Sequence, residues 1–369
     1  MTSSKNILHL TGMDSTKYGG LERFNVELAT QLHDMGYHSV FVYETWPDVE
    51  QFVQDLKKVD AEVIVINSRT NPLRFCRQLW SLFKKYHFCM MHAHFTKARF
   101  YAIPLAIVYG IKNIVYTFHS RVPPLCEMKL HTRLWYKLVN PYCRVVAVSK
   151  QIESVAKTNW PNLKVVCRYQ GTEPIKGDKL KYRKELSIDK DELMVMCTAN
   201  FNHIKGLDIL VRSVKQLSDK LDLNHISFYI VGQPEKDRKE LKPLIDELSL
   251  SAYIHMEGIS NEVYKYLSAA DVYIQPSRSE GIGVALMEAA SARLPLIAAN
   301  IGGMPEVAHN GENAILFESE NIEDCANALY TLLTDKELRE KYGERSYCVY
   351  EENFRVKERV TNLIEYYRL

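Results

Sequence analysis

Two carboxylates eight positions apart, Glu280 and Glu288, close the stretch Glu280-Gly281-Ile282-Gly283-Val284-Ala285-Leu286-Met287-Glu288 at both ends. The apolar run Val272-Tyr273-Ile274-Gln275 before it reads as a strand, and Val284 to Ala292 reads as a helix. A helix start rich in small residues presents free backbone N–H groups and the positive end of the dipole. That suits a phosphate or pyrophosphate. An ionised carboxylate accepts two hydrogen bonds from a vicinal diol. Phosphate in the middle with hydroxyls at both ends describes a nucleotide sugar. Eight residues at ~1.5 Å rise span ~12 Å at most, about the reach from a ribose across a pyrophosphate to a hexose. An isolated pair at this spacing fits a helix-start neighbour and a solvated helix residue equally well. The glycines, the strand before the block and its sequel favour the donor-binding reading. That sequel is a strand in Leu294–Ala299, then the turn Gly302-Gly303-Met304-Pro305-Glu306.

Other residues have chemistry of their own. Tyr18-Gly19-Gly20-Leu21 follows the first apolar run and opens a helix, so its backbone can approach a phosphate closely. The dinucleotide fingerprint G-x-G-x-x-G is absent there. Lys205-Gly206 starts another helix, where the ammonium is a point charge for a pyrophosphate or a plain surface lysine. His119 ends the run Ile114–Phe118, in place to bond a sugar hydroxyl or to serve the fold. His92 and His94 share a strand face with no acid nearby in sequence, which favours a structural role. Asp189-Lys190-Asp191 precedes a strand and reads as a solvated turn rather than a metal motif. The segment 71–87, NPLRFCRQLWSLFKKYH, is a basic amphipathic helix that suits an anionic membrane or the packing of its own domain, and the acid-free stretch around it tips the reading toward the membrane.

These residues need a scaffold. At 369 residues, 46% hydrophobic and 25% charged, the chain is globular, and its length favours two domains. No cleavable leader and no membrane-spanning run are expected. The eight cysteines are scattered without a C-x-x-C, as in a reduced cytosolic protein. From Val63 to Cys126 there is no acid against nine basic residues, which predicts a positive field on one half. Short apolar runs alternate with helix-length stretches: strands near 7–10, 39–43, 63–66, 88–92, 114–118, 145–148 and 163–167, then a Gly/Pro linker at 171–177. The alternation restarts with strands near 193–198, 227–231, 253–256, 272–275, 296–299 and 314–317 and helices near 206–218, 237–248, 261–270, 284–292 and 321–333; 335–369 reads as helix only. This predicts two doubly wound parallel α/β domains around a central cleft.

Together the pieces resemble the retaining, GT-B-fold glycosyltransferases of family GT4. The likeness runs through Gly19-Gly20, Tyr116-Thr117-Phe118-His119, Val146-Ala147-Val148-Ser149, Lys205-Gly206, the Glu280–Glu288 block and Gly302-Gly303-Met304-Pro305-Glu306. It implies an acceptor domain over 1–171, a donor domain over 172–351, and a C-terminal helix at 352–369 crossing back to the first. It implies that Glu280, His119 and Lys205 serve catalysis. Gly19, Gly20, Asn200, Ile259, Gly281, Ile282, Gly283 and Glu288 would help bind the donor. Such enzymes usually need no metal or other cofactor. Three departures stand out. An arginine common before the lysine of K-G is missing from Ala199-Asn200-Phe201-Asn202-His203; Gln170-Gly171 replaces Asn-Gly at the linker; Arg293 replaces a glycine. Arg278 or a cation of the first half is a candidate substitute for the missing arginine. The expected activity is sugar transfer from a nucleoside diphosphate donor, UDP favoured, to a lipid-linked saccharide at the cytosolic membrane face, with no nucleic-acid partner. The alternatives are a non-catalytic scaffold for a partner transferase and a nucleotide-dependent epimerase or dehydrogenase.

Overall fold

The computed structural model describes residues 5–232 and 241–369. The first unit comprises 1–171 together with 356–369, and the second comprises 172–355. The strands of the first are β1 (Asn6–Leu10), β2 (His38–Tyr43), β3 (Glu62–Val65), β4 (Met90–Ala93), β5 (Asn113–Phe118), β6 (Cys143–Ala147) and β7 (Val165–Cys167). They form one parallel sheet in the order β3-β2-β1-β4-β5-β6-β7. Helices α1 (Gly20–Asp34), α2 (Glu50–Lys58), α3 (Pro72–Tyr86), α4 (Thr96–Tyr109), α5 (Leu130–Val139) and α6 (Lys150–Asn159) connect them. The central strands read as unbroken apolar runs, Val40-Phe41-Val42-Tyr43 for example, because helices bury both faces. Caps set several helix starts. Asn71 accepts from the Arg74 amide at 2.9 Å and Ser149 from the Ile152 amide at 3.2 Å.

The second unit carries β8 (Leu193–Thr198), β9 (Ile226–Val231), β10 (Ile254–Gly258), β11 (Val272–Gln275), β12 (Leu296–Ala299) and β13 (Ala314–Phe317). The order is β10-β9-β8-β11-β12-β13, again parallel. Its helices are α7 (Lys179–Glu185), α8 (Leu207–Ser218), α9 (Leu241–Glu247), α10 (Val263–Ala269), α11 (Val284–Ser291), α12 (Ile322–Thr334) and α13 (Lys336–Asn353). The front of the helix expected over 237–248 lies outside the described residues.

The last helix, α14 (Val356–Tyr367), completes the first unit. Val360, Leu363, Ile364 and Tyr367 join Phe24, Leu28 and Leu32 of α1 over Ile7, Met90, Val115 and Val146 of the sheet. Backbone ends there are used too: Asn113 Nδ2 donates to the Tyr367 carbonyl at 2.9 Å and Arg168 Nε to the Asn362 carbonyl at 3.0 Å. The segment 71–87 is helical, but its apolar face is committed to the interior. Phe75, Leu79, Leu82, Phe83 and Tyr86 are buried, leaving Leu73 exposed beside an outer row of cations. The domain-packing reading of this segment is the correct one. The sheet needs a cover, and α3 is that cover.

Candidate functional site

In the second sheet the connections run outward in opposite directions from β8 and β11. Such a reversal opens a crevice beyond the carboxyl ends of the two strands. Lys205 lies beyond β8, on the one-turn helix His203–Lys205, and Glu280 lies beyond β11. The Arg278 amide donates to the Ile204 carbonyl at 2.7 Å and ties the two loops together. Two glycines make that approach sterically feasible. Gly206 has φ +64°, and a Cβ there would sit 1.9 Å from the Pro276 carbonyl oxygen. Gly302 has φ +59°, and a Cβ would sit 2.1 Å from the Glu280 carbonyl oxygen. Any side chain at either position would push the Glu280 loop out of place.

Three donors converge on one oxygen of Glu280. Oε1 accepts from Lys205 Nζ at 2.5 Å, Gln275 Nε2 at 2.7 Å and Ser277 Oγ at 3.1 Å. Oε2 accepts from none of the described residues. The carboxylate is thereby oriented, with one oxygen available to ligand hydroxyls. Gly281, Ile282 and Gly283 are buried and lead into α11, which carries Glu288, partly buried, on its second turn. The block therefore surrounds a helix start, as its spacing implies. Asn200 is exposed beyond β8, and Asn202 caps the Lys205 turn, accepting from its amide at 3.2 Å. Ile259 is exposed after β10, while the Gly258 carbonyl already accepts from the Gly232 amide at 2.7 Å.

Arg278 is not the substitute for the missing arginine. Its guanidinium donates two bonds of 2.7 Å each to the Asp208 carboxylate and one of 2.8 Å to the His203 carbonyl. The pair holds the Asp208 carboxyl below its usual range and raises the guanidinium further. A planar fork met by a carboxylate at the head of α8 makes a clamp between loops. Releasing it to a diphosphate would cost both bonds.

The first sheet reverses between β1 and β4. Gly19 and Gly20 follow β1, but the Gly19 amide already donates to Glu22 Oε2 at 3.1 Å. Ser15 Oγ donates to the other oxygen at 2.9 Å, so a buried carboxylate occupies the head of α1. Beyond β4 and β5, His94 Nδ1 and His119 Nε2 share a hydrogen bond of 2.9 Å, and Phe95 stacks on the His119 ring at 4.8 Å. Burial foremost, then Arg99, lowers the His94 pKa to about 4. Burial, then His94 and Arg99, holds His119 well below the ordinary imidazole value. Two neutral rings share one proton in that bond, which couples their tautomers and leaves His119 Nδ1 to meet a ligand. A cavity of about 20 Å³ lies against them, walled by Leu21, Phe24, Thr117, Val146, Gln170 and Leu363 and large enough for about one water.

His92 is structural: it bonds the Tyr367 hydroxyl at 2.6 Å and Thr117 Oγ1 at 2.7 Å. Asp189 accepts from the Asp191 amide at 2.9 Å, the bond of a turn. No group of three or more metal-ligating side chains occurs among the described residues. Sequence reasoning missed Gln275 and Ser277 as partners of Glu280, and it gave His94, which pairs with His119, a structural role. The only sequence signal for the first two is a glutamine closing the apolar run of β11 and a serine two residues beyond it.

Two family models match the chain: the one described as Glycosyltransferase Family 4 over 18–171, and the one described as Glycosyl transferases group 1 over 178–348. An uncharacterized glycosyltransferase of Methanocaldococcus jannaschii is 26% identical over 218 residues, 56% of this chain and 53% of that protein. An O-antigen biosynthesis glycosyltransferase of Escherichia coli is 23% identical over 249 residues, 64% of this chain and 67% of that protein. Among solved structures, an Anabaena protein in complex with UDP and glucose superposes with a TM-score of 0.83 at 20% identity, covering 98% of each chain. The match spans about half the length, or less, of the first curated relatives, 53% and 40%.

Proposed function

The chain belongs to the family 4 glycosyltransferases and has their GT-B fold of two α/β domains, and on that premise we propose that it is a retaining transferase. It moves a sugar from a nucleoside diphosphate donor, UDP-linked by preference, to a lipid-linked saccharide at a membrane surface during surface polysaccharide assembly. The observation that carries this reading is Glu280, with Oε1 held by Lys205, Gln275 and Ser277 and Oε2 unengaged among the described residues. Oε2 accepts hydroxyl protons of the donor sugar. Glu288 accepts from the ribose diol. The N–H groups from Gly281 to Gly283 face the diphosphate, and Lys205 turns from Glu280 toward it as negative charge develops. His119, held neutral, bonds a sugar hydroxyl and sets its orientation. The bond from the anomeric carbon to the diphosphate breaks, and one to the acceptor oxygen forms on the same face. The acceptor proton passes to the leaving diphosphate oxygen.

An ammonium and a helix start supply the positive charge in this scheme, so turnover survives chelation of divalent metals. The acid-free stretch of the first unit supports an anionic surface nearby. The test is donor hydrolysis across a panel of nucleotide sugars, then Glu280→Gln on the sugar that is used. The amide keeps the fold but loses the charge, and turnover falls about 10²–10³-fold. Unimpaired turnover in that variant refutes the assignment, and failure of the wild type to bind any nucleoside diphosphate favours a scaffold.

A further inference from the structure

The inner face of α5 is locked. Trp135 donates its ring N–H to the Phe100 carbonyl at 2.9 Å and stacks on the Phe100 ring at 5.4 Å. Tyr136 receives a bond of 3.0 Å from Arg99, and Val139 is buried. The outer face has a different character. Leu130, Leu134 and Leu138 are 70%, 51% and 71% exposed. Their spacing of four places them on one stripe, opposite Tyr136 and Val139 and ~12 Å long. Arg133 and Lys137 fall beside the stripe on the same helical wheel, and Lys129 precedes it. Arg133 is held in place by the Met128 and Cys126 carbonyls at 3.0 and 3.2 Å. Tyr142, 60% exposed, follows the helix. Between Glu127 and Glu153 the chain has no acidic residue.

The geometry points to α5 as the element that seats the protein on an anionic lipid surface. This rests on the membrane-bound acceptor proposed above and names the surface that meets the membrane. Solvent-exposed leucines contribute nothing to the core, and three of them on one stripe form a band that water disfavours. A strip one helix wide falls well short of the roughly 800 Å² per side of a stable protein interface. Its shape and charge instead fit the headgroup boundary, with leucines immersed and cations at the phosphate level. The helix α3 has the cations, but its apolar face is buried against its own unit, so it adds long-range attraction and no anchorage.

Flotation with vesicles tests this on the whole chain, using phosphatidylcholine alone and phosphatidylcholine mixed equally with phosphatidylglycerol. The wild type floats with the mixed vesicles, less so at high salt, and stays behind with the neutral ones. The variant Leu130→Ser/Leu134→Ser/Leu138→Ser binds the mixed vesicles at least about tenfold more weakly. Its UDP titration and circular dichroism match the wild type, because the three side chains are outside the core. The variant Arg74→Gln/Arg77→Gln/Lys84→Gln/Lys85→Gln retains salt-resistant binding. If the leucine variant floats like the wild type, the docking surface is elsewhere, while the membrane reading stands. If the wild type floats with neither vesicle, both fall.

Discussion

Replacing His9 with phenylalanine should make the first unit markedly less sensitive to acid. His9 sits on β1 between Phe41 of β2 and His92 of β4, fully buried, its ring stacked on Phe41 at 4.5 Å. Neither ring nitrogen has a partner among the described residues. Burial foremost, then the nearby His94, lowers its pKa to about 3. The folded value is below the unfolded one of ~6.5, so the fold favours the neutral ring. Above pH ~6.5 both states are neutral and this contribution is fully present. As pH falls further, only the unfolded chain takes up the proton, and the fold loses about 1.4 kcal/mol per pH unit down to the folded pKa. Between pH 7 and pH 4 that amounts to about 3 kcal/mol from His9 alone, a large share of the 5–15 kcal/mol typical of a whole domain. In His9→Phe the stability difference between the two pH values should shrink by about 3 kcal/mol. A packing cost of about 1–3 kcal/mol for the larger ring is the same at both pH values and cancels. All four tryptophans, Trp46, Trp80, Trp135 and Trp160, lie in the first unit, so their fluorescence during urea titration reports on it selectively. Equal pH dependence in variant and wild type would refute the reasoning, because His9 would then have a partner or accept a proton in the folded state.

Three further outcomes follow from the packing. Gly302→Val should cut turnover at least about tenfold while leaving the chain folded, since the added atoms meet the Glu280 carbonyl; unchanged activity would show that the loop yields freely. Arg278→Gln should lower the stability of the second unit by about 1–3 kcal/mol by calorimetry and leave UDP affinity near that of the wild type. A selective loss of UDP affinity would return Arg278 to the donor. Removing 356–369 strips Val360, Leu363, Ile364 and Tyr367 from the core, about 1.5–3 kcal/mol each, so the first unit should lose its cooperative unfolding transition. A retained transition in tryptophan fluorescence would contradict the role given to α14.

The alternation of apolar runs and amphipathic stretches was enough to place all seven strands of the first sheet and all six of the second within a few residues. A parallel sheet buried on both faces demands such runs, and few other arrangements satisfy them. The Glu280–Glu288 block was legible because glycines, a strand and a helix start are local features. Short or irregular helices were harder to see. The segment 130–139 alternates leucine, aromatic and cation on both sides of a helix, so its pattern has no single apolar face. Helix α3 has the cleaner amphipathic pattern, and the acid-free stretch around it tipped the reading to a membrane face, yet that face covers the sheet.

The sequence alone determined the fold class and the order of the elements and singled out the Glu280–Glu288 block, because period, turn chemistry and capping are decided within a few residues. Only the tertiary structure decided partners. Lys205 meets Glu280 from 75 residues away, Arg278 meets Asp208 from 70, and His94 meets His119 from 25. Each pairing depends on which strand ends lie side by side in the sheet. An ammonium, a guanidinium or an imidazole has the same chemistry wherever the chain places it, and strand order decides which group it meets.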